Sequence, residues 1–224
     1  MLNPGTKVIQ SLLSGYPEKK ITMIYGPGAS GKTTCCFLSL IQCISEGNKA
    51  IFIDTENGFN IDRFEQLCVK NTLDILEKTF LLRVNSYKNQ IKVFEKLPEL
   101  AKNQEIKLII VDTLSSHYRL ELKKDHYKAN KAMDNQLKIL QNISEKQNKI
   151  ILVTNQVYQN IEKKNQITMV GGNMMKSKGD CLIELQKTHQ NDRFALLRKH
   201  YNKKFKLNKK IKFKIKTKGI FKSI

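Results

Sequence analysis

The residues best suited to chemistry are Gly26, Pro27, Gly28, Ala29, Ser30, Gly31, Lys32, Thr33 and Thr34, reading GPGASGKTT. Their spacing is G-x-x-x-x-G-K-[ST], a loop whose backbone N–H groups turn inward onto phosphate. Gly26, Gly28 and Gly31 let the chain curl. Lys32 brings a point charge to β- and γ-phosphates, and the Thr33 hydroxyl suits Mg²⁺. The loop follows the apolar run ITMIY and precedes the helical run CCFLSLIQCI, so phosphate also meets the positive end of a helix dipole. Two carboxylates extend the set. Asp112 closes the apolar run in KLIIVDT, at a strand end of the kind that takes ligands in open α/β sheets, placed to hold a Mg²⁺-bound water. Glu56, in IFIDTEN, is the candidate base for water attacking the γ-phosphate. The plainer reading makes Asp54 and Thr55 turn or cap residues. No Asn-Lys pair has Asp at the offset that reads guanine, so adenine is the expected base. The chain has too few arginines, none of them clustered, for the lid of a small-molecule kinase.

These residues need strand ends and helix starts to position them. Strands are predicted near 20–25, 50–54, 79–84, 107–111 and 149–154, with helices over 32–46, 61–70, 89–102 and 130–147. Such alternation predicts an α/β fold with right-handed crossovers and a mostly parallel, twisted sheet flanked by helices. After residue 180 the runs CLIELQ, RFALLRK and KIKFKIK have no helical pattern between them, and predict antiparallel strands at the C-terminal edge. In KIKFKIK, Ile211, Phe213 and Ile215 share one face and the lysines the other, the pattern of a half-buried strand. No linker or repeat divides the chain, so one domain is expected over 1–224, with a lead-in at 1–19 and antiparallel strands plus a basic tail at 181–224.

Composition narrows the class. Apolar residues make up 40% and charged residues 27%, as in globular chains. The apolar runs are strand-sized, and MLNPGTKVIQSLL has no secretory pattern, so a cytoplasmic, nucleoid-associated protein is expected. The five cysteines form no C-x-x-C pair and read as reduced core thiols. The net charge of +20 is uneven, with 12 of the 40 basic residues and no acidic one falling between Arg198 and Ile224. A lysine-rich solvated surface would explain it. So would a polyanionic partner, with nucleic acid ahead of membrane because no amphipathic membrane helix is evident.

In order along the chain come GPGASGKTT, IDTEN with Arg63 seven residues after Glu56, LIIVDTLSSHYRLEL, VTNQV, and GGN at 171–173. This series resembles the ATPase core of the RecA/RadA recombinase superfamily from about Thr6 onward. The short lead-in, TNQVYQN and the ending RFALLRKHY…KIKFKIKTKGIF are most similar to archaeal paralogues of the strand-exchange enzymes. The resemblance implies a RecA-type fold that takes ATP and Mg²⁺. By it Lys32, Thr33 and Asp112 are phosphate and Mg²⁺ ligands, Glu56 is the catalytic carboxylate, and Arg63 lies near the nucleobase. Gln156 becomes the amide that senses γ-phosphate, and segments near Glu121–Lys131 and Val157–Val170 become two mobile loops facing DNA. The first segment carries Lys123, Lys124, Lys128 and Lys131 around Tyr127, and the second Tyr158, Lys163 and Lys164. Basic groups interleaved with aromatic rings suit single-stranded DNA, although solvated loops can look the same. Two departures stand out. The lead-in has no Phe-x-x-Ala element, and lysines replace the family's arginines in the first loop. The expected function is thus a weak, DNA-dependent ATPase in recombination and repair that assists strand exchange, with a RadA-type recombinase or a DNA polymerase as protein partner. The alternatives are a filament-forming strand-exchange enzyme, a non-hydrolysing ATP-bound interaction module, and a KaiC-like ATPase or kinase.

Overall fold

The computed structural model describes residues 1–68, 72–159, 167–188 and 190–223, with the side chains of Gln159 and Ile167 left aside. Its elements in order are α1 (Lys7–Leu13), β1 (Ile21–Tyr25), α2 (Lys32–Ser45), β2 (Lys49–Asp54), α3 (Ile61–Leu67), α4 (Thr72–Glu77), β3 (Thr79–Arg83), α5 (Tyr87–Leu100) and β4 (Ile106–Asp112). There follow α6 (Ser116–Leu122), α7 (His126–Gln147), β5 (Ile150–Asn155), β6 (Val157–Gln159), β7 (Ile167–Met169), α8 (Gly172–Lys178), β8 (Cys181–Lys187), β9 (Arg193–Lys199), β10 (Lys210–Lys216) and β11 (Gly219–Lys222). Nine strands form one sheet in the order β11-β10-β9-β8-β1-β5-β4-β2-β3, and β6 and β7 pair as a separate hairpin.

Strands β1, β4 and β5 are apolar along almost their whole length because both faces of the sheet are covered. Side chains alternate between two cores. Phe52 of β2 joins Phe37 of α2, Phe59 and Phe64 in an aromatic cluster, with centroids of contacting rings 5.0–5.9 Å apart. Its neighbours Ile51 and Ile53 face the opposite layer, with Leu137 and Leu140 of α7. Each aromatic pair adds roughly 0.5–1.5 kcal/mol beyond its area burial, and Phe59 pins the loop after β2 that carries Glu56. In β10, Phe213 is buried while Lys214 and Lys216 are exposed, as the alternation predicts.

The structure corrects two expectations. The run at Cys181–Lys187 is antiparallel on one side only: β8 pairs antiparallel with β9 but lies parallel to β1, with Thr22 opposite Cys181. The short helix α8, entered through Gly171 at φ 78°, makes the crossover that allows this. Nor is Glu121–Lys131 a loop. α6 runs to Leu122 and α7 starts at His126, where Asp125 caps it by accepting from the Lys128 N–H at 2.9 Å. The second expected DNA segment forms the arms of the β6–β7 hairpin, while Lys163 and Lys164 lie outside the described residues. No helix among the described residues is long and apolar enough to cross a membrane.

Candidate nucleotide site

The phosphate loop connects the end of β1 to the start of α2. The Gly26 N–H donates to Asn155 O at 3.3 Å, and Gly31 caps α2 at φ 107°. Ala29 also takes a left-handed turn, at φ 55°. The first N–H groups of α2 have no intrahelical acceptor, which leaves them for an anion. Ser30, by contrast, is fully buried, and its hydroxyl has no partner.

The loop forms one wall of a cleft of about 590 Å³ at the carboxyl ends of the strands. Lys32 Nζ sits in the loop's concavity, donating to Gly26 O at 3.0 Å and Pro27 O at 2.9 Å. Burial lowers its pKa, against the opposing pull of the Asp112 and Glu56 charges. Thr33 Oγ1 donates to Asp112 Oδ2 at 2.7 Å, and Thr154 donates to the other carboxylate oxygen. Burial nevertheless raises the Asp112 pKa. A hydroxyl and a carboxylate beside a phosphate loop are hard oxygen donors, and this set fits Mg²⁺ carried in with phosphate.

Asp54 does serve as the turn residue. Its carboxylate accepts from the N–H groups of Glu56, Gly58 and Phe59 at 2.9–3.1 Å. Thr55 Oγ1 donates to Thr113 O, just past the end of β4, at 2.6 Å. With those roles filled, Glu56 projects into the cleft, where desolvation first and the Asp112 charge second raise its pKa. Gln156 Nε2 donates to Glu56 Oε1, and Gln156 Oε1 accepts from Arg119. Asn155 turns the other way: it is buried, and its Nδ2 donates to Val170 O at 2.8 Å, mooring the far end of the hairpin.

Lys32, Thr33, Asp112, Glu56 and Gln156 therefore converge, as their positions in the sequence predict. Arg63 does not join them. Its guanidinium donates to Lys216 O and Thr217 O, both at 2.9 Å, and so holds the β10–β11 turn instead of lining the cleft. Ile215 of β10 does line it, together with Arg119 of α6. The sequence motifs single out neither residue. The inward face of KIKFKIK was the available signal for Ile215. Lys123, Lys124, Tyr127, Lys128 and Lys131 are all exposed, on the end of α6, the turn and the first turns of α7. Lys124 sits 3.5 Å from Glu121, and the Lys131 ammonium 6.0 Å from the Tyr127 ring centroid. Lys123 and Tyr158 line a second cavity, of about 380 Å³, that shares Arg119 and Gln156 with the cleft.

The sequence model of the Rad51 family matches residues 1–223. The "DNA repair and recombination protein RadB" of Methanocaldococcus jannaschii is 34% identical over 218 residues, covering 95% of this chain and 98% of that protein. The protein of the same name from Methanococcoides burtonii is 32% identical over 197 residues, 87% and 86% of the two chains. A crystal structure of the RadB recombinase superposes with a TM-score of 0.81 at 28% identity, covering 98% of both chains.

Proposed function

The chain belongs to the Rad51 family, and from that premise we propose that it binds ATP with Mg²⁺ in the cleft and single-stranded DNA beside it. It serves recombination and repair as a weak ATPase that assists strand exchange. The names of its relatives support the recombination setting. One observation carries the reading: five phosphate-, metal- and water-directed side chains meet at one end of the sheet, and Gln156 among them leads straight into β6. The lysines in place of family arginines favour the accessory role, and exposed lysines around Tyr127 favour single strands.

In this mechanism the N–H groups of the loop and Lys32 Nζ bind and orient the triphosphate. Thr33 Oγ1 and Asp112, the latter through water, would hold Mg²⁺, which when bound neutralises charge on phosphate oxygens. Glu56 orients the attacking water and takes its proton, and its raised pKa brings it closer to the working pH. Gln156 presents a neutral amide donor, which meets phosphate without the repulsion a carboxylate would bring.

ATP hydrolysis and DNA affinity measured together, over a salt series, for wild type and Lys32→Ala, test the proposal. Lys32→Ala is expected to lose hydrolysis, and DNA affinity to fall with salt. Wild-type hydrolysis by Lys32→Ala would refute the cleft assignment, and salt-independent DNA affinity would refute the phosphate contacts. Regular filaments with joint-molecule formation in ATP and single-stranded DNA would overturn the accessory role.

A further inference from the structure

Arg119 belongs to neither the phosphate loop nor the lysine-rich segment, yet its side chain lines both the cleft and the neighbouring cavity. Its Nη1 donates to Gln156 Oε1. That bond decides which way the amide faces, because an oxygen turned toward Arg119 leaves Nε2 turned toward Glu56. The same guanidinium lies 5.3 Å from the centroid of the Tyr158 ring on β6. The helix that carries it is braced. His117 Nε2 lies 2.9 Å from Val84 O, and Tyr118 donates to Asn130 of α7 at 2.7 Å. Arg119 thus reaches from a fixed element to two groups, the amide that faces the nucleotide and the aromatic ring on the hairpin.

We propose that Arg119 is the positioning residue that joins nucleotide state to the hairpin: one guanidinium both orients the Gln156 amide and seats the Tyr158 ring. The inference rests on the ATP- and DNA-binding reading above. If a phosphate draws the amide round, Arg119 loses its acceptor, its plane turns, and Tyr158 is released toward DNA. The coupling needs a planar cation with several donors. Lysine, a point charge on a flexible stem, can bond the amide but offers no flat face.

The chain has no tryptophan, so Tyr158→Trp supplies a single emitter that keeps a face for Arg119. Mg²⁺-ATP is titrated into Tyr158→Trp with Arg119 intact and with Arg119→Lys. ATP affinity is read separately by calorimetry and folding by thermal melts. With Arg119 present, emission changes along the calorimetric isotherm. With lysine, ATP at saturation leaves emission flat, while the nucleotide-free melt matches that of the Arg119 protein. In the Tyr158 background, ATP shifts single-stranded DNA affinity by about five-fold or more with Arg119 and loses that effect with lysine. Methylguanidinium added to Arg119→Ala in the Tyr158→Trp background restores the emission change, which it would not do if Arg119 served packing alone. An unchanged emission response in Arg119→Lys overturns the proposal. So does flat emission from the Arg119 protein while calorimetry shows ATP bound. Calorimetry showing no ATP binding by wild type overturns the nucleotide reading itself, and is distinguishable from both.

Discussion

Two glycines of one motif should respond in opposite ways to the same substitution. A Cβ on Gly26 would stand 2.3 Å from Leu185 O and 3.2 Å from its carbonyl carbon. Ordinary contact begins near 3.4 Å, so the two chains must part by 3.4 minus 2.3, about 1.1 Å. Leu185 cannot simply yield, because β8 is paired with β1 up to Glu184 and with Ala195 of β9 at Leu185 itself. Overpacking of this kind costs about 1–3 kcal/mol. At roughly 2–4 °C per kcal/mol for a chain of this size, Gly26→Ala should lower Tm by about 2–12 °C. Moving the loop by about 1 Å should also cut ATP turnover by about 10²-fold. Gly28 has nothing within 4 Å of an added Cβ and no left-handed φ. Gly28→Ala should therefore leave Tm unchanged or raise it, by restricting the unfolded chain, with a gain of about 0.4–1 kcal/mol. Scanning calorimetry of both variants without nucleotide, with steady-state hydrolysis alongside, settles the matter. Equal Tm shifts, or a Gly26→Ala melt within about a degree of wild type, would refute the close approach of β8 to the loop.

Asp112→Asn should raise the Tm of the nucleotide-free protein at pH 7. Burial lifts the folded-state pKa of Asp112 above its unfolded value, so its contribution to stability is full below that unfolded value, about 3.9, and is lost as pH rises through the folded one. The gain should shrink as melts are taken toward pH 4, and a lower Tm at pH 7 would contradict it. Combined replacement of Lys123, Lys128 and Lys131 by Ala should flatten the plot of log affinity for single-stranded DNA against log salt by about 2, at about 0.7 for each phosphate no longer neutralised. A parallel, unshifted line would remove those lysines from the DNA face. Arg63→Ala should free the β10–β11 turn and cost about 1 kcal/mol, or about 2–4 °C in a melt. It should leave ATP affinity within about three-fold; a ten-fold or greater loss of affinity with an unchanged Tm would return Arg63 to the nucleobase.

The parts of the site that were legible in the sequence are local. The phosphate loop spells out its conformation within nine residues, and Asp112 and Glu56 can be placed because an apolar run shows where a buried strand stops. Asn155 and Gln156 gain meaning in the same way, although the run could not tell which amide turns inward to Val170 and which faces the cleft. The start of α7 was missed because the segment from Lys123 to Lys128 has no apolar face, its one aromatic residue, Tyr127, being exposed among charged neighbours. Its helix is declared by the Asp125 cap, a weaker signal than periodicity. The direction of β8 could not be read at all, because it depends on pairing with β1, 159 residues away at Thr22 and Cys181.

The contacts of Arg119, Ile215 and Arg63 could not be read from the sequence for a related reason. The partners that define them are distant in the chain: Gln156 lies 37 residues from Arg119, and Thr217 lies 154 from Arg63. Spacing can mark the groups that touch a ligand, because geometry on a loop or strand end is local. It cannot mark the groups that hold those side chains in orientation, because that role exists only after the sheet has assembled. On the proposed reading, Gln156 at the cleft and Tyr158 on the hairpin sit on successive pieces of backbone, so a group that couples them would have to come from another element. The braced helix α6 offers Arg119, which contacts both. Variation at such orienting positions would retune the coupling between nucleotide and DNA while leaving every recognisable motif intact.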